Sequence, residues 1–385
     1  MVQSGRLDCK AFFFEDRMRP IRFIMVGGFL GAGKTTTMAR LARHYQIQGK
    51  RVGVVTNDQA DNLVDTANLR ARGLPVVEVP GACFCCKFDE LVTKVGTLAA
   101  DERPDIILAE PVGSCTDLVA TVIQPLRDLY SAKVSVAPYV VLFKPSHGTR
   151  ILRGDTDAGF SPKAAYIFLK QLEEADAIVL NRIDELNAAE VEELTELVSR
   201  QNPGTPLLRV SAKTGAGFDT LVEWLEQDGA FGQRILDIDY DTYAEGEAEL
   251  GWLNCTVRVT AAVAFDLDAM MLAVIRGVSG SVWESGGEIA HLKVIGMAVG
   301  CYSVANVVSR ITGAEVSLPA CKLVDAADVI VNARASVDPA VLQSAVERQV
   351  QELRADLGIM ADMLQVQALK PGRPTPTHRY RNAPA

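Results

Sequence analysis

Eight consecutive residues, Gly28-Phe29-Leu30-Gly31-Ala32-Gly33-Lys34-Thr35, follow the pattern GxxxxGK[ST]. Glycines at this spacing let backbone N–H groups approach phosphate oxygens, and a following helix aims its positive end at them. Lys34 is placed to neutralise the β- and γ-phosphates, and Thr35 to hold magnesium. Gly28, Gly31, Ala32, Gly33 and Thr36 complete the expected cradle. A second group is Glu110 and Gly113, in Glu110-Pro111-Val112-Gly113. A carboxylate there suits magnesium or an attacking water, and the Gly113 N–H suits the γ-phosphate. A Pro-Gly turn beside a solvated Glu is the structural alternative. Asp58, in Asn57-Asp58, is a further magnesium candidate, with an Asn-Asp turn or helix cap as the alternative. A third group is Cys83, Cys85 and Cys86, three of the eight cysteines within four positions. Thiolates so clustered favour soft or borderline ions, zinc first and cobalt second, and leave a fourth tetrahedral position open. Inert or redox thiols are the alternative. Cys115 is a candidate fourth ligand or relay, or a small packing residue.

These residues must be delivered by regular elements. Ile21 to Val26 reads as a buried strand before the glycines, and Thr35 to Gln48 as the helix after them. Arg51–Thr56, Val76–Val79, Asp105–Ala109, Val134–Phe143 and Ala177–Leu180 read as strands. Pro162–Glu174, Ala188–Arg200 and Phe218–Glu226 read as helices. The alternation predicts an α/β fold: a P-loop NTPase domain over 21–230, with a mostly parallel sheet and helices on both faces. Glu110 then stands at a strand's carboxyl end, where open α/β sheets bind ligands. Residues 144–161 carry Pro145, Gly148, Gly154 and Gly159 and read as a surface insertion or mobile loop. The acidic stretch within 231–250 reads as a linker. Residues 251–368 alternate differently and predict a smaller α+β domain, with βαββαβ as the suggested order. Residues 1–20 read as a flexible arm and 369–385 as a disordered, Pro-rich basic tail.

With 48% hydrophobic and 23% charged residues, the chain has enough apolar material for such cores. Its net charge of -9 argues against a general nucleic-acid binder. No segment approaches the ~18 apolar residues of a membrane span, so no membrane partner is expected and a cytoplasmic protein is.

Asn181-Arg182-Ile183-Asp184 follows the strand ending at Leu180 and resembles the NKxD motif of GTPases, whose Asp accepts from guanine N1 and N2. Ser211-Ala212-Lys213 follows the run Leu207 to Val210 and resembles the SAK loop, whose backbone contacts guanine O6. With these motifs in order, the chain is similar to the CobW/HypB/UreG branch of P-loop GTPases over about residues 21–230, and to its CobW-type members most of all. Glu110 in place of the usual Asp, the CxCC cluster Cys83-Phe84-Cys85-Cys86 and Gln171-Leu172-Glu173-Glu174-Ala175-Asp176 carry the likeness. Ala82 stands before the first Cys, where the family usually has Gly. Asn57-Asp58-Gln59-Ala60 is closer to the urease- and hydrogenase-maturation members. The resemblance implies a slow GTPase that uses GTP and Mg²⁺, with Lys34 and Glu110 as its catalytic residues. It further implies a metallochaperone or metal-cofactor insertase that serves a client metalloprotein or cofactor enzyme. A homodimer is left open. A regulatory GTPase that carries no metal is the alternative function.

Overall fold

The computed structural model describes residues 19–58, 66, 69, 70, 72–81, 83–101, 103–155, 160–310 and 313–383. The expected arm lies outside these residues except for 19 and 20. Two sheets organise the chain. The first comprises β1 (Ile21–Gly28), β2 (Val52–Asp58), β3 (Val76–Pro80), β4 (Ile106–Glu110), β5 (Val134–Val136), β6 (Val140–Phe143), β7 (Ala177–Leu180) and β8 (Leu207–Arg209). Its order is β3-β2-β4-β1-β6-β7-β8, and all these pairings are parallel. The run 134–143 is two strands rather than one. β5 pairs with the first half of β1 and β6 with the second. Pro138, between them, has no N–H to give to a ladder.

Both faces of this sheet are covered, which is why its strands read as unbroken apolar runs. In β1, Phe23 and Met25 join one core cluster, while Ile24 and Val26 join the other. The second cluster receives α1 (Lys34–Ile47) through Met38, Leu41 and Ala42. The first receives α2 (Phe88–Asp101) through Phe88 and Leu91. Helices α3 (Gln124–Leu129), α4 (Pro145–Arg153), α5 (Pro162–Glu173), α6 (Ala188–Gln201) and α7 (Phe218–Leu225) complete the domain.

Three expectations are corrected. The insertion at 144–161 contains α4, so it is not a loop: Pro145 sits at the first helical position, where no N–H is needed, and Gly154 ends the helix with φ 75°. The acidic linker contains α8 (Tyr240–Ala248), whose Tyr243, Gly246 and Glu247 are buried. The tail is not disordered over 370–383. Thr377 N donates to Cys85 O at 2.8 Å, and Tyr380 N donates to Ala120 O at 3.0 Å.

The second sheet comprises β9 (Gly251–Asp266), β10 (Ile289–Ala298), β11 (Cys301–Val307), β12 (Ala314–Leu318), β13 (Leu323–Ala335) and β14 (Met360–Leu369). It is antiparallel, in the order β12-β11-β10-β13-β9-β14. Helices α9 (Leu267–Glu284) and α10 (Pro339–Leu357) share its core through Met271, Ile275, Leu342 and Val346. It is the α+β unit expected, with two strands more than the six-element order, β12 and β13 standing between β11 and α10. Among the described residues, no helix is long and apolar enough to cross a membrane.

Candidate functional site

The loop after β1 turns at Gly31 (φ 75°) and Gly33 (φ 95°) before α1 begins at Lys34. At Gly33 a side chain is excluded twice over, because a Cβ would lie 2.4 Å from Asn181 Nδ2. Lys34 Nζ donates to Gly28 O at 2.9 Å, which folds the lysine back over the loop. Thr35 Oγ1 donates to Glu110 Oε1 at 3.1 Å, and both residues are buried. Glu110 ends β4 directly beside β1, where Met25 pairs with Ala109. Gly113 is in the same corner: a Cβ there would sit 2.9 Å from Lys34 Nζ. Thr36 is exposed and lines the cavity. Asp58 closes β2 opposite Pro80, and its side chain lies outside the described residues.

The loops after β7 and β8 meet this corner from the other side. Asn181 is buried and bridges them: Nδ2 donates to Ala32 O at 2.8 Å, and Oδ1 accepts from Ala212 N at 3.0 Å. Arg40 of α1 donates to Ala212 O and Lys213 O, each at 2.8 Å. Buried Ser211 accepts from Thr214 N at 3.0 Å, which tightens the loop. Asp184 is exposed in a turn of 3-10 helix over Ile183–Glu185. That turn is pinned by Arg182, which pairs with Glu185 at 2.6 Å, and by the Asn187–Glu190 capping box of α6. A cavity of about 340 Å³ brings together Gly31, Gly33, Lys34, Thr35, Glu110, Gly113, Asn181, Asp184, Ala212 and Lys213.

The cysteines lie at the carboxyl end of β3. Their Sγ atoms are 2.8 Å (Cys83–Cys85), 3.2 Å (Cys83–Cys86) and 3.8 Å (Cys85–Cys86) apart. Three thiolates on one tetrahedral zinc ion would stand about 3.8 Å apart, given Zn–S bonds of about 2.3 Å. The trio therefore needs only small side-chain rotations to become a ligand set. Cys115 is buried and neighbours Cys83. Interaction with the neighbouring Cys115, Cys85 and Cys86 thiols holds the Cys83 thiol well below its ordinary value. The same interaction, with burial, pushes Cys85 and Cys115 well above theirs, and Cys86 is raised to about 11. Thiols bind a metal ion as thiolates, so an ion that enters such a cluster would displace its protons.

Residues 22–209 match the model of the CobW/HypB/UreG nucleotide-binding domain. The nucleotide-binding domain of this chain belongs to the CobW/HypB/UreG family. Relatives include the zinc chaperone YeiR of Escherichia coli, 30% identical over 188 residues, which are 47% of this chain and 52% of YeiR. The zinc chaperone CobW of Sinorhizobium is 29% identical over 210 residues, covering 50% and 58%. The chain thus spans about half the length of the curated relatives it matches. The crystal structure of Zn(II)-bound YjiA GTPase from E. coli aligns over 86% of this chain and 99% of its own, at 17% identity and a TM-score of 0.37.

Sequence reasoning passes over several residues that shape this CobW/HypB/UreG domain. Asn57, at the end of β2, donates to Val79 O at 2.7 Å and accepts from Phe84 N at 2.8 Å, so it holds the cysteine turn. Gln171 donates to Gly113 O at 3.0 Å and Cys115 O at 2.8 Å. Glu174 accepts from Thr116 Oγ1 and Val119 N, and burial raises it to about 8. The Gln-Leu-Glu-Glu stretch noted in the sequence therefore braces the loop after Glu110. Behind the thiols, Glu247 of α8 accepts from Ser114 Oγ at 2.5 Å, and burial raises it to about 8. Thr375 N donates to Cys86 Sγ at 3.2 Å, and Arg379 Nε to the buried Asp117 at 2.7 Å, so the tail lies as a strap over the cluster. A scan for paired donors and acceptors at long sequence separation would be needed to find these, and a single sequence does not supply one.

Proposed function

We propose that this chain is a slow GTPase that couples its nucleotide state to the capture and release of a thiophilic metal ion for a client metalloprotein. Zinc is the first choice, given the thiol ligands and the names of the relatives, and cobalt is the alternative. Lys34 meets the β- and γ-phosphates, the Gly113 N–H meets the γ-phosphate, and Asp184 accepts from guanine while Asn181 fixes the loops around the base. Thr35 and Glu110 offer adjoining hard oxygens at 3.1 Å, which fits magnesium; Asp58 is a third candidate ligand. Bound there, magnesium would neutralise charge on the phosphates. In this reading Glu110 also orients a water towards the terminal phosphate. Cys83, Cys85 and Cys86 receive the cargo ion.

The observation that carries this reading is Asn57. It lines the nucleotide cavity and, through its amide, fixes Val79 and Phe84 on either side of Cys83. A shift of the β2 end on nucleotide exchange therefore changes the angles among the thiols. Linkage then requires metal to alter nucleotide affinity by the same factor, commonly about 5–150-fold. The test is titration of zinc into nucleotide-free, GDP-bound and non-hydrolysable-GTP-bound protein, repeated with Cys85→Ser. One tight, nucleotide-dependent site, lost in the variant, is expected. A nucleotide-independent site, or no tight site, defeats the metallochaperone reading and leaves a regulatory GTPase.

A further inference from the structure

Helices α9 and α10 cover only one face of the second sheet, where Leu292, Val294, Val329 and Val331 pack. The other face carries a row of polar side chains. Asn254 pairs with Asn332, Asn332 with Lys293, Lys293 with Asn306, and Asn306 with Glu315. Direct cross-strand partners share a face, so these five residues form one line across β9, β13, β10, β11 and β12. Part of the line is buried, with Asn332 6% and the neighbouring Arg334 2% exposed. Burying polar groups is costly unless hydrogen bonding offsets it, and Asn332 Nδ2 donates to Asn254 Oδ1 at 2.8 Å. The same face faces the first domain. Lys293, Asn306, Glu315, Asn332, Arg334 and His291 line the same cavity as Lys34, Thr35 and Asp184. On β10, the strand that carries Lys293, Ala290 O accepts from Lys144 Nζ at 2.9 Å and lies against Gly31 of the phosphate loop. At the β12 end of the row, Glu315 pairs with Lys213 of the base loop at 3.5 Å. The sheet thus meets the phosphate loop along the strand of Lys293 and the base loop at Glu315.

We propose that this sheet face is the second wall of the nucleotide site, with Lys293 as its principal cation toward the phosphates of GTP. The proposal rests on the nucleotide reading given above and adds the far side of that pocket. Lys293 lies mid-row, on the strand whose Ala290 meets Gly31. Arg334 is preorganised beside it, with its guanidinium 4.0 Å from the Trp252 ring centroid and Nη1 on Ala333 O at 2.8 Å. Such a wall concentrates positive charge at one place on a protein whose net charge is -9. Bound GTP then joins the two domains, and its release requires the sheet to move off the pocket.

The test compares binding of a non-hydrolysable GTP analogue, with Mg²⁺, to full-length wild type, Lys293→Met and Lys293→Arg, each at several salt concentrations. Lys34→Ala serves as the reference for the first wall. Removing one charged contact to phosphate should weaken binding of the analogue about tenfold or more and flatten its salt dependence. Lys293→Arg should restore most of both. Thermal unfolding without nucleotide shows whether each variant is folded. Unchanged affinity and salt dependence in Lys293→Met would overturn the proposal, and so would a loss that Lys293→Arg fails to restore. If wild type binds no GTP, or Lys34→Ala binds as well as wild type, the nucleotide reading itself fails and the second wall falls with it.

Discussion

Replacing Gly113 by Ala is the smallest change that should disable the phosphate loop. The added Cβ would stand 2.8 Å from Leu30 Cδ2, 2.9 Å from Lys34 Nζ and 3.0 Å from Leu30 N. The Leu30 side chain can turn away, but the Leu30 nitrogen belongs to the loop backbone. Ordinary contact begins at 3.4 Å, so the loop must yield about 0.4 Å at that nitrogen and about 0.5 Å at Nζ. Lys34 Nζ also donates to Gly28 O at 2.9 Å, so turning it away from the new methyl disturbs that bond. Losing one well-placed charged hydrogen bond costs about 1.5–3 kcal/mol, or roughly 10–150-fold in affinity. We expect Gly113→Ala to weaken binding of a fluorescent GTP analogue within that range, with hydrolysis reduced further because the γ-phosphate is nearest. Gly280→Ala, in α9 with nothing within 4 Å of its Cβ, is the matched control. It should leave binding unchanged and stabilise the fold by up to about 1 kcal/mol. Equal affinity of wild type and Gly113→Ala would refute the placement of Gly113 against the phosphate lysine.

Two further outcomes follow from contacts away from the phosphates. His147 is buried against Phe160, with Nε2 3.1 Å from Glu288 Oε1, and burial lowers it to about 4. The unfolded chain takes up that proton near pH 6.5 and the folded one only near 4. Its share of stability is therefore full above pH 6.5 and lost as pH falls toward 4, by at most about 3 kcal/mol. Urea unfolding of wild type and His147→Gln between pH 7.5 and 4.5 should show a shallower acid decline in the variant; parallel declines would refute the assignment. Arg379→Ala removes the tail's ion pair with the buried Asp117. Since Arg379 is partly exposed, the pair is given about 1 kcal/mol, and alkylation of Cys86 in metal-free protein should quicken about fivefold. An unchanged modification rate at Cys86, followed by mass spectrometry, would show that the strap does not shield it.

The loops proposed to hold phosphate and base are legible in the sequence because each is a contiguous signature at a strand end. Ile21–Val26, Asp105–Ala109 and Ala177–Leu180 are apolar runs that stop where Gly27, Glu110 and Asn181 begin. Legibility fails where a buried stripe is narrow. In α8, Tyr243, Gly246 and Glu247 face inward, but the surrounding Asp239, Asp241, Glu245 and Glu249 make the segment read as solvated. It fails again where Pro and Gly serve as helix ends rather than breakers, as at Pro145 and Gly154. β14 is missed because Asp362, Gln365 and Gln367 interrupt the apolar pattern of a strand on the sheet's edge. No local rule places Lys293 or Glu315 beside loops so far back in the chain, since that proximity comes from how two sheets meet.

The strap gives the second domain a second attachment. That domain leaves the first through α8, packed behind the thiols, and returns through β14 to residues 375–380, which lie across Cys85 and Cys86. A body fastened at both ends has lost most of its freedom to translate. What remains is a swing about the line joining its anchorages, like a door on two hinges. Both anchorages lie beside the cysteines, while the free edge of the sheet, at β12, lies over the base loop. On the nucleotide reading proposed above, a swing that uncovers the base would turn about an axis next to the thiols. A small displacement beside that axis would correspond to a large one at the far edge of the sheet, so the lever would multiply motion in one direction and force in the other.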